Sequence, residues 1–163
     1  MKKYLVKITV LLLAITSFLG ASTALSQESR DVSKYNLYIA GENLNGYDPV
    51  AYFPEGGGAP TLGLVENSLD YMGVTYFFST AENRNLFLTN PNKYEPTYGQ
   101  WCAYAMASGA YVKINPLHYT ISGNRLHFFV SKRAKANFDA DVAGHEENAD
   151  MHWKNLSGEV PRK

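Results

Sequence analysis

Residues 69–78, LDYMGVTYFF, set the fold class of this 163-residue chain. They hold two runs of aromatic and β-branched residues, Leu69 to Met72 and Val74 to Phe78, separated at Gly73, and this pattern predicts a β-hairpin. The next four residues, Ser79-Thr80-Ala81-Glu82, have the form of a capping box, in which the Ser79 and Glu82 side chains bond backbone N–H groups at a helix start. A hairpin that runs directly into a helix indicates an α+β domain.

The remaining patterns add helices and a second hairpin. The first helix is expected to carry Leu86 and Phe87 inward and to end at Asn90-Pro91, and a second helix is expected from Gln100 to Ser108, closed by Gly109. Strand patterns cover Ala110–Ile114, His118–Ile121 and Arg125–Val130, the last two joined through Ser122-Gly123-Asn124. Residues 132–153 have a helical pattern with a break at Gly144. We therefore predict a single compact domain with a small, mainly antiparallel sheet and helices packed on it.

The first 26 residues have the composition of a secretory signal peptide. Three lysines precede an apolar run, Ile8 to Leu19, that is too short to span a bilayer comfortably, and small residues follow it. We divide the chain into a signal peptide (1–26), an N-terminal segment (27–43), a domain with a C-terminal helix (44–154) and a polar tail (155–163). The prediction is a periplasmic or secreted protein with no membrane span after signal cleavage.

Charge and motif content exclude several functions. The full chain has 15 basic and 15 acidic residues, and loss of the three signal-peptide lysines leaves 12 against 15, which argues against a nucleic-acid partner. Cys102 is the single cysteine, so no intrachain disulfide forms and the core alone must hold the domain together. The sequence has neither the Ser, His and carboxylate spacing of a hydrolase nor the paired carboxylates of a glycosidase. We therefore predict a non-enzymatic protein.

Several motifs follow one another in a recognisable order along the chain: Asp48-Pro49-Val50, Met72 to Ser79, Asn83-Arg84 with Phe87, and Asn90 to Pro96. This order of motifs resembles that of the YHS domain family. The rest of the chain, through Trp153, is similar to the exported, stand-alone branch of that family. The resemblance implies a small α+β fold and a metal-binding module, but the family cysteines are replaced here by Ala51, Ser79 and Asn83. None of these three suits a soft metal, and helix capping explains Ser79.

Cys102 lies in what the pattern predicts to be the first turn of the second helix. The positive end of a helix stabilises a thiolate, and Met106 lies one turn further on the same face. A thiolate and a thioether together favour Cu(I), and a histidine, with His118 as the first candidate, could complete the site. We predict copper binding or handling through Cys102, Met106 and His118. Two other interpretations stay open: a buried core stripe, or an intermolecular disulfide that forms a homodimer.

The alternative function is a metal-free binding module. Four aromatic residues are candidates to line a pocket or surface near Trp101 for a small molecule or a partner protein: Tyr52, Tyr98, Trp101 and Tyr104. His118 and His127, on adjacent predicted strands, could face each other across the hairpin. The acidic run from Asp139 to Asp150 is typical of a solvated helix face, and also fits a weak divalent-cation surface.

Overall fold

The elements follow the predicted order of strands and helices along the chain. The computed structural model describes residues 30–38, 41 and 44–162, so the predicted signal peptide and part of the N-terminal segment lie outside the described residues. Its strands are β1 (Leu64–Tyr71), β2 (Val74–Phe78), β3 (Asn115–Ser122) and β4 (Arg125–Phe129). Its α-helices are α1 (Ala81–Thr89), α2 (Pro91–Tyr94), α3 (Ala103–Met106), α4 (Lys132–Asp139) and α5 (Val142–Ser157). The α+β class is confirmed.

The first hairpin forms where the sequence predicts it. β1 and β2 pair antiparallel with Tyr71 opposite Val74. Met72 and Gly73 between them both have positive φ, the conformation that tight two-residue hairpin turns require. The buried residues of β2 alternate along the strand, and Tyr76 and Phe78 pack on Phe87 of α1 with ring centroids 4.7 and 5.2 Å apart. β1 begins at Leu64, five residues before the predicted start, with an irregular register between Leu64 and Leu69.

The predicted capping box at the start of α1 is wrong by one residue. Thr80 is the N-cap, and its hydroxyl accepts the N–H of Asn83 at 3.1 Å. The Ser79 hydroxyl instead donates to Asp48, 31 residues earlier in the chain, at 2.7 Å. A capping box takes its acidic residue three positions after the cap, and that position belongs to Asn83 rather than Glu82. The predicted end at Asn90-Pro91 is confirmed, because α1 ends at Thr89.

The second predicted helix is much shorter than its pattern indicates. Gly99 and Gln100 both have positive φ, which a helix does not contain, so α3 begins only at Ala103. Cys102 is its N-cap residue, and the Cys102 N–H donates to the carbonyl of Val112 at 2.9 Å. The predicted strand over 110–114 is wrong: these residues form no strand, and the Val112 carbonyl accepts the Cys102 N–H of the loop before α3 instead. Gly109 closes the turn as predicted, donating to the Met106 carbonyl.

The second hairpin and the two C-terminal helices complete the domain. β3 and β4 pair antiparallel as predicted, but an irregularity between Asn115 and Tyr119 places Thr120 opposite His127. The predicted His118–His127 pair is therefore wrong. The helix break lies at residues 140–141 rather than at Gly144, because the Asp141 side chain accepts the Gly144 N–H and starts α5 there.

The core joins both hairpins to the helices that follow them. Its largest fully buried side chains include Phe78, Phe87, Phe128, Phe138 and Trp153. Aromatic edge-to-face contacts recur in this core, as in Tyr35 against Trp153 at 5.4 Å. No helix in the described part of the chain is long and apolar enough to cross a membrane.

Candidate functional site

An open cleft of about 730 Å³ lies between the loop after Asp48 and strand β3. Its lining combines apolar side chains with a few polar and charged ones. The apolar part is formed by Tyr52, Phe53, Pro54, Leu117, Tyr119 and Ile121. Tyr119 and Ile121 are alternate residues in the regularly paired part of β3 and therefore share one face, whereas Leu117 lies in the irregular stretch between Asn115 and Tyr119. All three residues line the cleft.

Tyr52 fixes the floor of the cleft. Its hydroxyl donates to the Pro116 carbonyl at 3.1 Å, and its ring meets Tyr119 and Phe128 edge-on, with centroids 4.8 and 5.0 Å away. Burial raises the pKa of Tyr52 far above its usual value, so this phenol stays neutral. Because its hydroxyl is bonded to Pro116, Tyr52 offers the cleft an apolar ring.

The cleft lining carries a matched pair of charges. The Lys93 ammonium lies 2.5 Å from a Glu55 carboxylate oxygen, and both residues line the cleft. The hydrogen bond from Lys93 lowers the pKa of Glu55, which therefore remains ionised. The Tyr94 hydroxyl donates to the same carboxylate at 2.9 Å. The two opposite charges of this pair neutralise each other.

The second lysine of the cleft is also paired. Lys135 of α4 lines the cleft, as do Thr120, Gly123 and Asn124. Asp139 pairs with the Lys135 ammonium and accepts the Thr120 hydroxyl at 2.7 Å. Each lysine of the lining therefore has a carboxylate partner.

The predicted copper ligands lie inside the core or on the second hairpin. Cys102 and Met106 are fully buried, and the Met106 N–H donates to the Cys102 carbonyl at 2.9 Å, which places them one helical turn apart as predicted. His118 is half-buried on β3. Over the described ranges, no group of three or more His, Cys, Asp or Glu side chains is placed to hold a metal. Copper binding stays a prediction.

The four aromatic candidates do not share one pocket. Tyr52 lines the cleft, whereas Tyr98, Trp101 and Tyr104 do not. The indole N–H of Trp101 donates to the Lys34 carbonyl at 2.7 Å, so it anchors the N-terminal segment. Tyr104 packs against His145 with ring centroids 5.2 Å apart. The Tyr98 hydroxyl belongs to a separate polar cluster.

The positions that the YHS resemblance assigns to cysteine meet at the buried carboxylate of Asp48. Asp48 Oδ1 accepts the N–H groups of Val50 and Ala51 at 2.8 and 3.3 Å. Its Oδ2 accepts the Ser79 N–H and hydroxyl at 2.8 and 2.7 Å, and the Asn83 amide at 2.6 Å. These residues do not fit a soft metal, because they offer no sulfur and their donors already satisfy the carboxylate. The cluster instead joins the loop after Asp48 to the start of α1.

A second buried polar cluster joins α5 to β4. Arg125 donates to Glu146 at 3.0 Å and also pairs with Asp150, which accepts the Tyr98 hydroxyl at 2.8 Å. His127 Nε2 lies 2.7 Å from Glu146, and burial lowers the pKa of His127, which favours the neutral ring. The acidic run from Asp139 to Asp150 is therefore only partly a solvated face, because Glu146 and Asp150 connect α5 to β4.

A third cluster holds the two described ends of the chain together. Glu95 is 2% exposed and accepts two hydrogen bonds from Arg30 at 2.7 and 2.9 Å. Arg162 donates to the same carboxylate at 2.7 Å, and the Tyr76 hydroxyl also donates to it. Sequence reasoning missed Glu95, because these arginines lie 65 and 67 residues away along the chain.

Comparisons with known proteins do not add to this description. A scan against protein-family models, a search of curated proteins and a search of solved structures each found no match for the chain. The resemblance to the YHS family therefore rests only on the order of motifs in the sequence. The function has to be inferred from the geometry of the cleft and the clusters around it.

Proposed function

We propose that the protein is an exported, non-enzymatic binding domain that takes a small molecule with an apolar body in the cleft beside Tyr52. The observation that carries this proposal is the cleft itself. Its volume of about 730 Å³ falls within the range of small-molecule sites, and its lining combines aromatic and aliphatic side chains with a few polar groups. This is the metal-free binding function predicted from sequence, located at Tyr52 rather than at Trp101.

The chemistry of the cleft favours binding over catalysis. Its charged groups are engaged in ion pairs, Glu55 with Lys93 and Lys135 with Asp139. A catalytic base needs a free proton-accepting group within hydrogen-bond reach of a reacting atom. The carboxylates of the three buried polar clusters accept internal hydrogen bonds, and each cluster connects separate segments of the chain. These features support a role in binding.

A nuclear magnetic resonance titration of the exported domain with 1-octanol tests the proposal. Octanol is expected to shift backbone amide signals of β3 and of residues 52–58. Leu117 is 56% exposed on the cleft wall, so Leu117→Glu should weaken octanol binding at least tenfold without unfolding the domain, because it places a charge against the apolar probe. Leu88→Glu, at an exposed leucine of α1 outside the cleft, is the matched control.

Two results would contradict the proposed function. One is the absence of shifts in β3 and in residues 52–58 at saturating octanol. The other is equal loss of binding in Leu117→Glu and Leu88→Glu. Export is tested separately by the intact mass of the secreted product, which is expected to begin near Leu25 or Gln27 and not at Met1.

Copper handling through Cys102 is the second candidate function, and one observation favours it. The Cys102 thiol and the Met106 thioether follow each other by one helical turn, which is a soft ligand pair suited to Cu(I). Competition with a coloured Cu(I) chelator under reducing conditions tests it. The expected result is about one Cu(I) per chain, lost in Cys102→Ser and weakened in Met106→Leu. Equal competition by wild type and a folded Cys102→Ser variant would overturn it.

A further inference from the structure

We infer that His127 is a proton-sensitive latch between β4 and the first two turns of α5, residues 142–148. The neutral ring keeps this contact closed, and a proton on the ring opens it. The structural basis is the unequal bonding of the two ring nitrogens, one of which has a partner on α5 while the other has none in the described part of the chain. The latch is separate from the proposed binding function, because neither His127 nor Glu146 lines the cleft.

The first nitrogen, Nε2, already donates a hydrogen bond in the neutral ring. His127 is 1% exposed, and its Nε2 lies 2.7 Å from a carboxylate oxygen of Glu146. Burial would raise the pKa of Glu146, but His127 and Arg125 lower it, so this carboxylate is ionised. An ionised carboxylate accepts hydrogen bonds and donates none, so Nε2 carries the proton of the neutral ring. Protonation of the ring therefore adds no hydrogen bond to Glu146.

The second nitrogen, Nδ1, has no acceptor for a proton. It is buried, and it has no hydrogen-bond partner among residues 30–38, 41 and 44–162. The His127 ring instead packs against the rings of Tyr98 and Phe138, with centroids 5.5 and 5.0 Å away. A proton on Nδ1 creates a buried donor without an acceptor, which costs free energy. His145 of α5 differs, because its Nδ1 lies 2.6 Å from the Asp141 carbonyl oxygen.

The charged groups around the ring do not compensate for its burial. The titratable groups that face it are Glu146 and Asp150 of α5, Arg125 of β4, Asp139 of α4, and Tyr98. Arg125 pairs with both α5 carboxylates, and Asp139 pairs with Lys135. An imidazolium at His127 is attracted by Glu146 and repelled by Arg125, while burial removes its hydration. Burial is the largest of these effects and lowers the pKa of His127, so the closed contact disfavours the proton.

The consequence of protonation falls on α5, because Glu146 belongs to that helix. Opening of its first two turns lets Nδ1 reach water, whereas Trp153 stays buried in the core and holds the rest of the helix. The proton binds the open contact more tightly than the closed one. The contact is therefore fully closed above the pKa of an exposed histidine, about 6.5, and opens progressively as the pH falls below that value.

Hydrogen–deuterium exchange of the protein at pH 7.5 and pH 5.5 tests the latch. After correction for the intrinsic exchange rate at each pH, the protection of residues 142–148 should fall several-fold, and by at most about tenfold, because one pH unit below the exposed pKa shifts the opening equilibrium by no more than that. At pH 5.5 these residues should be less protected than the first hairpin. His127→Phe should abolish the fall, whereas His145→Phe and His152→Gln, at the two histidines of α5, should retain it.

A second measurement does not depend on any variant. Nuclear magnetic resonance titration of the His127 ring in the wild-type protein should give a midpoint below about 6.5, and a higher midpoint would refute the latch, because the proton would then tighten the contact. Unchanged protection of residues 142–148 between the two pH values, or the same fall in His127→Phe, would also refute it. So would equal protection of residues 142–148 and the first hairpin at both pH values, since the domain then opens as one unit.

Discussion

Replacement of Asp48 by alanine should destabilise the domain more than most single substitutions. The buried carboxylate accepts hydrogen bonds from three backbone N–H groups, one hydroxyl and one side-chain amide. A buried donor without an acceptor costs about 1–3 kcal/mol. The Ala51 bond is long at 3.3 Å, and the Ser79 hydroxyl can rotate to another acceptor, so these two contribute least. The Asn83 amide keeps the Gly56 carbonyl as an acceptor at 3.1 Å. The N–H groups of Val50 and Ser79 are then the two donors left without a partner, and their total loss is about 2–6 kcal/mol.

This loss is large against the stability of a domain of this size. At about 0.05–0.15 kcal/mol per residue, roughly 130 described residues give a free energy of unfolding of about 7–20 kcal/mol. Asp48→Ala should therefore remain folded in buffer but unfold at a much lower denaturant concentration. Asp70→Ala is the control, because Asp70 is an exposed carboxylate that accepts one hydrogen bond, from Thr75, and its loss should cost less than about 1 kcal/mol.

Denaturant unfolding followed by tryptophan fluorescence, with and without a chelator, is the assay. Wild-type protein should unfold at the same denaturant concentration in both conditions, because protein donors already satisfy the carboxylate. An Asp48→Ala variant within about 1 kcal/mol of wild type would refute the hydrogen-bond reasoning. A chelator that destabilises wild type as much as Asp48→Ala does would show that Asp48 holds a metal.

Three further predictions concern the other clusters and the first helix. Burial alone would raise the pKa of Glu95, but Arg162 and Arg30 lower it, so Glu95 is ionised and paired with both arginines. Glu95→Gln should therefore cost about 3–5 kcal/mol in denaturant unfolding and should speed tryptic cleavage after Arg30. Unchanged cleavage would contradict the contact between the Arg30 segment and Glu95. Burial lowers the pKa of His127 in the folded state, because the buried ring is more stable when neutral. The contribution of this neutral ring to the free energy of unfolding is complete above the pKa of the unfolded state, about 6.5, and declines as the pH falls through the lower pKa of the folded state. Unfolding between pH 5 and 8 should therefore show a decline on acidification that His127→Phe reduces, and an identical slope in the variant would contradict this. Thr80→Ala should cost about 1 kcal/mol through loss of the helix cap, measured by the same unfolding assay, and no change would contradict the assignment of Thr80 as N-cap.

Local signals in the sequence predicted much of the secondary structure. The hairpin turn at Gly73, the helix end before Pro91 and the closing turn at Gly109 each depend on a few adjacent residues. The predictions failed where a distant residue decides the local structure. The local pattern predicts Ser79 as a helix cap, but its hydroxyl donates to Asp48. The pattern also predicts a strand over 110–114, but these residues have no partner strand in the described part of the chain.

The candidate site was predictable only in part, for the same reason. Tyr52 was among the aromatic candidates and does line the cleft. The opposing wall comes from β3, more than 60 residues later, and no local pattern indicates that approach. Trp101 was another aromatic candidate, but its indole N–H donates to the Lys34 carbonyl. A sequence pattern shows which side chains are aromatic, but long-range contacts decide which of them remain open to a ligand.

The most direct test of the binding function is to identify the protons that contact a bound probe. Isotope-filtered nuclear Overhauser spectra of the protein with 1-octanol report contacts between the alkyl chain and protein side chains. The proposed site predicts contacts from the chain methylenes to the methyl groups of Leu117 and Ile121 and to the ring of Tyr119. Contacts confined to other surfaces, or no contacts at saturating octanol, would contradict it.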